Sequence, residues 1–137
     1  MTQDATRNDP APSAYVPSTQ QLVVEIYVRD IQRSTAFYRR LGFTPIEDKG
    51  SFVALAWDGH QLFLAQQPEL PPPGAGVRAN VRIMVPDVER CWTLAHEIGA
   101  RIMAPIGDRD YGIRDFIIAD PDGFGIRFGS WLPGAAR

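Results

Sequence analysis

A chain of 137 residues, 45% of them apolar and with a formal net charge of −2, is sized for one soluble, globular domain with its own core. That balance supplies no basic stripe for nucleic acid, and no apolar run approaches a membrane span. A single cysteine, Cys91, excludes an internal disulfide and suits a reducing cytoplasm; at an apolar helix position it reads as a small core residue.

Residues 1–19, rich in Pro, Ala, Ser, Thr and Asp, read as a flexible tail without the basic-then-apolar layout of a signal peptide. A single domain is expected over 20–131, with a short C-terminal tail at 132–137. Its first unit, 20–67, opens with a strand over Gln21–Arg29. Asp30 can cap a helix running to about Arg40, because its carboxylate accepts the first free amide protons. Ile31, Ser34, Phe37, Tyr38 and Leu41 recur at spacings of three and four and mark the buried face. Gly42 stops the helix. Strands follow at Phe43–Ile46 and Phe52–Trp57, then a tight Asp58-Gly59 hairpin and the return strand Gln61–Gln66.

Residues 68–77, beginning PELPPPGAG, form a stiff connector. The second unit, 78–131, repeats the order: strand Asn80–Val85, Asp87 cap, helix to Ile98, Gly99 stop, and strand Ala100–Ala104. A GDRDYG loop, strand Arg114–Ala119, a DPDG turn and strand Gly125–Phe128 complete it. The repeat is explicit in the residues. At an offset of 57, Val24, Ile26, Val28, Asp30, Arg33 and Gly42 fall on Val81, Ile83, Val85, Asp87, Arg90 and Gly99. Further on the offset becomes 64, which lays Phe52 over Phe116 and Phe63 over Arg127, and places seven extra residues between the second and third strands of the second unit.

Two βαβββ units, with YVRD…AFYRRLGF in the first and DPDG near the end of the second, resemble the vicinal oxygen chelate superfamily over residues 21–130. That superfamily includes glyoxalase I, extradiol dioxygenases, fosfomycin-resistance enzymes and bleomycin-resistance binding proteins. The resemblance implies an α+β fold whose tandem units form a curled sheet or funnel. It also implies homodimers, with units joining within or between chains. In the metal-dependent members His, Gln or Glu ligands come from the first and last strand of each unit. The matching positions here are Val23, Phe63, Asn80 and Arg127, of which only Asn80 offers even a weak oxygen. His60 on a hairpin and His96 on a helix share no ligand spacing. No metal and no other cofactor is therefore expected.

Strand alternation assigns the two faces. Val24, Ile26 and Val28, with Val81, Ile83 and Val85, turn toward the helices. So do Leu62, Leu64, Ile126 and Phe128. The opposite face is then lined by Tyr27, Phe63, Met84 and Phe116, with Glu25, Asn80, Arg82 and Arg127 as its polar groups. Such a mixture suits a small-molecule pocket, although the apolar members could equally fill a barrel and Glu25 could simply pair with Arg82 or Arg127. YGIRDF (Tyr111–Phe116) is similar to a stretch that precedes DPDG in bleomycin-resistance-like members. It adds Tyr111 and Arg114 as candidate ligand contacts, with only one of Arg114 and Asp115 able to face the cleft.

The leading expectation is a metal-independent binding protein for an aromatic or amphipathic molecule, with antibiotic sequestration as the role the resemblance implies. Two cleft arginines disfavour cationic bleomycin and favour a ligand with an anionic group. The alternative is an enzyme, a lyase, isomerase or dioxygenase, for which Glu25 is the only candidate base.

Overall fold

The computed structural model describes residues 16–135. The expected 1–19 tail lies almost wholly outside them; its last residues enter a 3₁₀ turn at Ser18–Gln20. Strand β1 (Val24–Val28), helix α1 (Ile31–Leu41) and strands β2 (Thr44–Asp48), β3 (Phe52–Trp57) and β4 (His60–Gln66) form the first unit. Strand β5 (Asn80–Met84), helix α2 (Val88–Glu97) and strands β6 (Arg101–Asp108), β7 (Ile113–Ala119) and β8 (Gly125–Trp131) form the second. Each unit is a four-stranded sheet, ordered β1-β4-β3-β2 and β5-β8-β7-β6, with its first strand parallel to its last. β6 and β8 run three to four residues further than the sequence indicates.

Local chemistry sets the helix limits. Asp30 stands in extended backbone and accepts from the amides of Gln32 and Arg33 at 3.1 and 3.2 Å. Asp87 does the same for Glu89 at 3.1 Å. Gly42 ends α1 with φ at 120°, and a Cβ there would lie 3.1 Å from the Trp57 ring, so both backbone and packing require glycine. Asp58 and Gly59 both take positive φ, 49° and 89°, the twist that a two-residue hairpin needs.

The helix-bearing faces of both sheets share one core. Ile26, Val28, Leu62 and Leu64 from one sheet and Ile126, Phe128, Phe116 and Ile118 from the other are buried in it. Trp57 of the first unit meets Phe128 of the second at a ring separation of 6.2 Å. Burying side chains of this size contributes about 1.5–3 kcal/mol each. Polar ties reinforce the join: Tyr38 donates to Asp120 at 2.8 Å inside the core, and Arg29 and Ser34 donate to Asp122 at 2.9 and 3.3 Å. The DPDG turn thus fastens the second unit to α1 as well as reversing the chain.

The two sheets remain separate, and the expected funnel is not closed within one chain. Because each sheet spends its helix-bearing face on the common core, neither opposite face packs on the other. Glu25 and Tyr27 on one, and Asn80, Arg82 and Met84 on the other, are exposed.

Candidate functional site

The face free of helix on the first sheet is aromatic. Register pairs Glu25 with Phe63 and Tyr27 with Ala65, so the alternation read from sequence holds. Phe63 stacks edge to face with Phe52 at 5.1 Å, and Tyr27 is 55% exposed beside them. Glu25 is exposed on the same face.

The corresponding face of the second sheet is cationic. Register places Arg82 directly beside Arg127 and Met84 beside Gly129, with Asn80 opposite Gly125. Asp115 lies on this face between Gly129 of β8 and Gly107 of β6. It is 1% exposed and is gripped by three donors. Arg109 Nε donates to Oδ1 at 2.7 Å, while the Tyr111 hydroxyl and Arg127 Nη1 donate to Oδ2 at 2.8 and 2.7 Å. Arg127 Nη1 also donates to the Tyr111 oxygen at 2.8 Å. The Arg82 guanidinium stands 5.9 Å from the centre of the Tyr111 ring, within cation–π range. Burial works against the charged form of Asp115, but the hydrogen bonds from Arg109, Tyr111 and Arg127 outweigh it and hold the carboxyl below its usual range. Asp115 and Tyr111 in turn hold Arg127 charged against its own partial burial.

Glycines make room for this clasp. A Cβ on Gly129 would lie 2.9 Å from Ile113 and 3.3 Å from Asp115, and one on Gly107 would lie 3.3 Å from Arg109 Nη1. Arg109 and Tyr111 come from the segment lengthened relative to the first unit. Its turn, closed by the Arg109 amide on the Ile113 carbonyl at 2.8 Å, supplies two of the three donors.

Two expected site residues lie elsewhere. Phe116 is fully buried on the helix side, pairing with Phe128 and packing on Trp92 at 5.0 Å. Arg114 points to the same side and pairs with Glu89 of α2 at 2.7 Å and with Asp108. Asp115, not Arg114, is the member of that pair on the open face. The cause is a one-residue register difference. In the first unit Ala56 pairs with Gln61, leaving four residues in the turn, whereas Ala119 pairs with Gly125, leaving five. The extra turn residue puts β7 at an offset of 63 while β8 keeps 64, and one residue flips every side chain. Six of the seven extra residues therefore precede β7, and one lies in the DPDG turn. Asp115, not Phe116, is the counterpart of Phe52. Arg127's carboxylate partner is likewise Asp115 and not Glu25. Alternation outward from Arg127, with the longer turn counted, would have found Asp115; nothing in the sequence pattern pointed to Arg109.

The positions that hold metal in the resembling family do not fit one here. Phe63 is stacked, Arg127 is ion-paired, Val23 has no donor atom and Asn80 is solvated. Among the described residues no three His, Cys, Asp or Glu side chains converge. His60 is exposed on its hairpin, and His96 Nδ1 lies 2.9 Å from the Trp92 carbonyl oxygen. A groove of about 440 Å³ runs along β5, with Phe43, Trp57 and Gln61 on one side and Arg82 and Met84 on the other. No helix among the described residues is long and apolar enough to cross a membrane.

Paired βαβββ units with these open faces define the class, and sequence comparison agrees. The model of the Glyoxalase/Bleomycin resistance protein/Dioxygenase superfamily matches residues 20–128, and the chain belongs to that superfamily. No curated protein sequence matches the chain significantly. Among solved structures, a glyoxalase/dioxygenase from Nostoc punctiforme is similar at 24% identity with a TM-score of 0.71, over 88% of this chain and 94% of that one. TioX from Micromonospora sp. ML1 gives 22% and 0.68, covering 81% and 98%. A bleomycin resistance determinant encoded on transposon Tn5 gives 22% and 0.66, covering 80% and 96%. At these identities the likeness shows the fold alone.

Proposed function

We propose that this chain is a metal-independent small-molecule-binding protein whose ligand is aromatic or amphipathic and carries an anionic group. The observation that carries the reading is the arginine pair. Arg82 and Arg127 stand side by side on an open face, and among the described residues a single carboxylate, already engaged by Arg109, is bonded to the pair. Like charges in register oppose each other, so the arrangement favours an incoming anion.

The aromatic wall needed for the rest of the ligand lies on the other sheet, which does not face Arg127 within one chain. A homodimer supplies it. A second copy can set its Tyr27–Phe63 face against the Arg82–Arg127 face, giving two equivalent clefts in a closed two-fold pair. Exposed Leu22, Val24, Tyr27, Met84 and Trp131 support such a contact, since apolar groups of this size at neighbouring edges seek cover. Sequestration of a toxic small molecule is the simplest use of such clefts, and a bleomycin resistance determinant is among the proteins that share the fold.

An isomerase or lyase with Glu25 as base is the other reading. The aromatic face carries Glu25 and, in register through Phe63 and Ala54, Glu47, and among the described residues no ligand set stands beside them to polarise a carbonyl. The two separate on turnover: a Glu25→Gln variant that binds as well as the parent, with no reaction seen in either, supports the binder.

The direct test is a screen of aromatic anions followed by Arg127→Met. Losing one charge-assisted contact should weaken binding by about 1.5–3 kcal/mol. Unchanged affinity for every anionic ligand would leave the arginine a structural partner of Asp115 and defeat the proposal.

A further inference from the structure

Resting on that anion-binding reading, we infer that the cleft selects a doubly charged oxyanion, a phosphate-type head group, over a singly charged one of the same shape. The charge count around the pair argues for it. Arg109 is turned inward: its Nε meets Asp115, and Nη2 donates to the backbone oxygens of Pro105 and Asp115 at 2.7 and 3.0 Å. Asp115 is shared by Arg109 and Arg127, so those three groups carry one net positive charge, and Arg82 beside them brings the cluster to two.

Arg82 and Arg127 converge on one place. Their strand positions are register neighbours, and both side chains reach the same tyrosine. Arg127 donates to the Tyr111 oxygen while Arg82 covers the ring. Two guanidinium groups held to a single phenol are suited to one compact dianion rather than to two separated carboxylates. Among the described residues Arg127 is engaged through Nη1, by Asp115 and Tyr111, and the rest of its planar fork offers donors suited to an oxyanion. Gly129 beside Asp115 keeps the floor low next to the pair. Tyr111 belongs to the lengthened segment and has no counterpart in the first unit. The pairing is thus a property of the second sheet alone.

Phenyl phosphate and phenyl sulfate separate charge from shape. They share ring and tetrahedral head, but at pH 7.5 the phosphate is a dianion and at pH 5 largely a monoanion, its second ionisation falling near 6. The groups of this sheet that face the site are Arg82, Arg109, Arg127, Tyr111 and Asp115, and Glu25 stands on the aromatic face that a second copy sets against them. Asp115 stays ionised across this range because its carboxyl is held low. Any change in the protein's own charge acts on both ligands, so a change in the ratio of their affinities is the phosphate's own. Titration of the full chain should show phenyl phosphate binding about tenfold tighter than phenyl sulfate at pH 7.5, roughly 1.4 kcal/mol, with the two converging at pH 5. Arg82→Met should remove most of that preference, weakening phenyl phosphate binding more than phenyl sulfate binding. Equal affinities at pH 7.5, or a preference untouched by Arg82→Met, would overturn the inference and leave the anion cleft standing. Binding of neither compound would instead count against the anion cleft itself.

Discussion

Arg127 Nη1 donates to Asp115 at 2.7 Å across two neighbouring strands, and the two equivalent positions of the first unit hold Phe63 and Phe52, stacked at 5.1 Å. One duplicated scaffold thus carries an ion pair at a position where its other copy carries an aromatic pair. The division between a cationic sheet and an aromatic sheet follows from this exchange, and it makes the two faces complementary to each other.

Asp115 holds the cationic face together. Asp115→Asn keeps an acceptor but leaves Arg109 and Arg127 without a counter-charge in a site that is 1% exposed, and should cost about 3 kcal/mol. Its folded-state carboxyl is held low, so its stabilisation is present above the unfolded value of about 3.9 and fades as pH falls through the folded one. Denaturant midpoints should show the parent losing more stability than Asp115→Asn as pH is lowered below about 4. Parallel acid limbs would contradict the clasp.

Asp120 predicts the opposite slope. Burial pushes its carboxyl up, against hydrogen bonds from Tyr38 and from the amides of Phe124 and Asp122. A raised acid contributes stability that is complete below the unfolded value and is lost as pH rises through the folded one. Asp120→Asn keeps an acceptor for both amides and cannot ionise. Relative to the parent it should gain stability as pH rises above about 4, read from the same midpoints.

The flanking glycines separate fold from site. Gly129→Ala drives a methyl into the stiff Ile113 side chain and should cost about 1–3 kcal/mol of stability. Gly107→Ala meets only the movable end of Arg109 at 3.3 Å. It should leave the unfolding midpoint nearly unchanged while weakening anion binding modestly, because the Arg109 fork has to shift by only a few tenths of an ångström and stays on Asp115. A Gly107→Ala protein that unfolds early but binds normally would reverse this assignment.

Metal independence has its own check. With Val23, Phe63, Asn80 and Arg127 at the family's ligand positions, EDTA should leave the unfolding temperature unchanged. Added nickel, zinc or manganese should give no glyoxalase activity. A shift of several degrees on chelation would contradict it.

Much of this was legible in the sequence because duplication repeats physical constraints. Asp30 and Asp87 cap, Gly42 and Gly99 stop, and alternation in β1, β4, β5 and β8 puts Glu25, Tyr27, Phe63, Arg82 and Arg127 on the open faces. What failed was β7. A turn one residue longer than its counterpart reverses a strand without altering its composition, so Phe116 looked like a wall of the cleft and Asp115 like an edge charge. Arg109 was invisible for another reason: its role depends on a side chain reaching from the β6–β7 turn to Asp115, and no periodicity records that.

The central claim is that each cleft joins the aromatic sheet of one copy to the arginine sheet of another, and mixing two defective chains tests it most directly. Phe63→Ala and Arg127→Met should each form dimers that bind phenyl phosphate poorly. A purified heterodimer of the two has one cleft with both residues intact and one with neither. Calorimetry should therefore recover parental affinity at one ligand per dimer. If both residues instead serve a cleft within one chain, every cleft in the mixture carries a defect. A heterodimer no better than either parent variant would contradict the account.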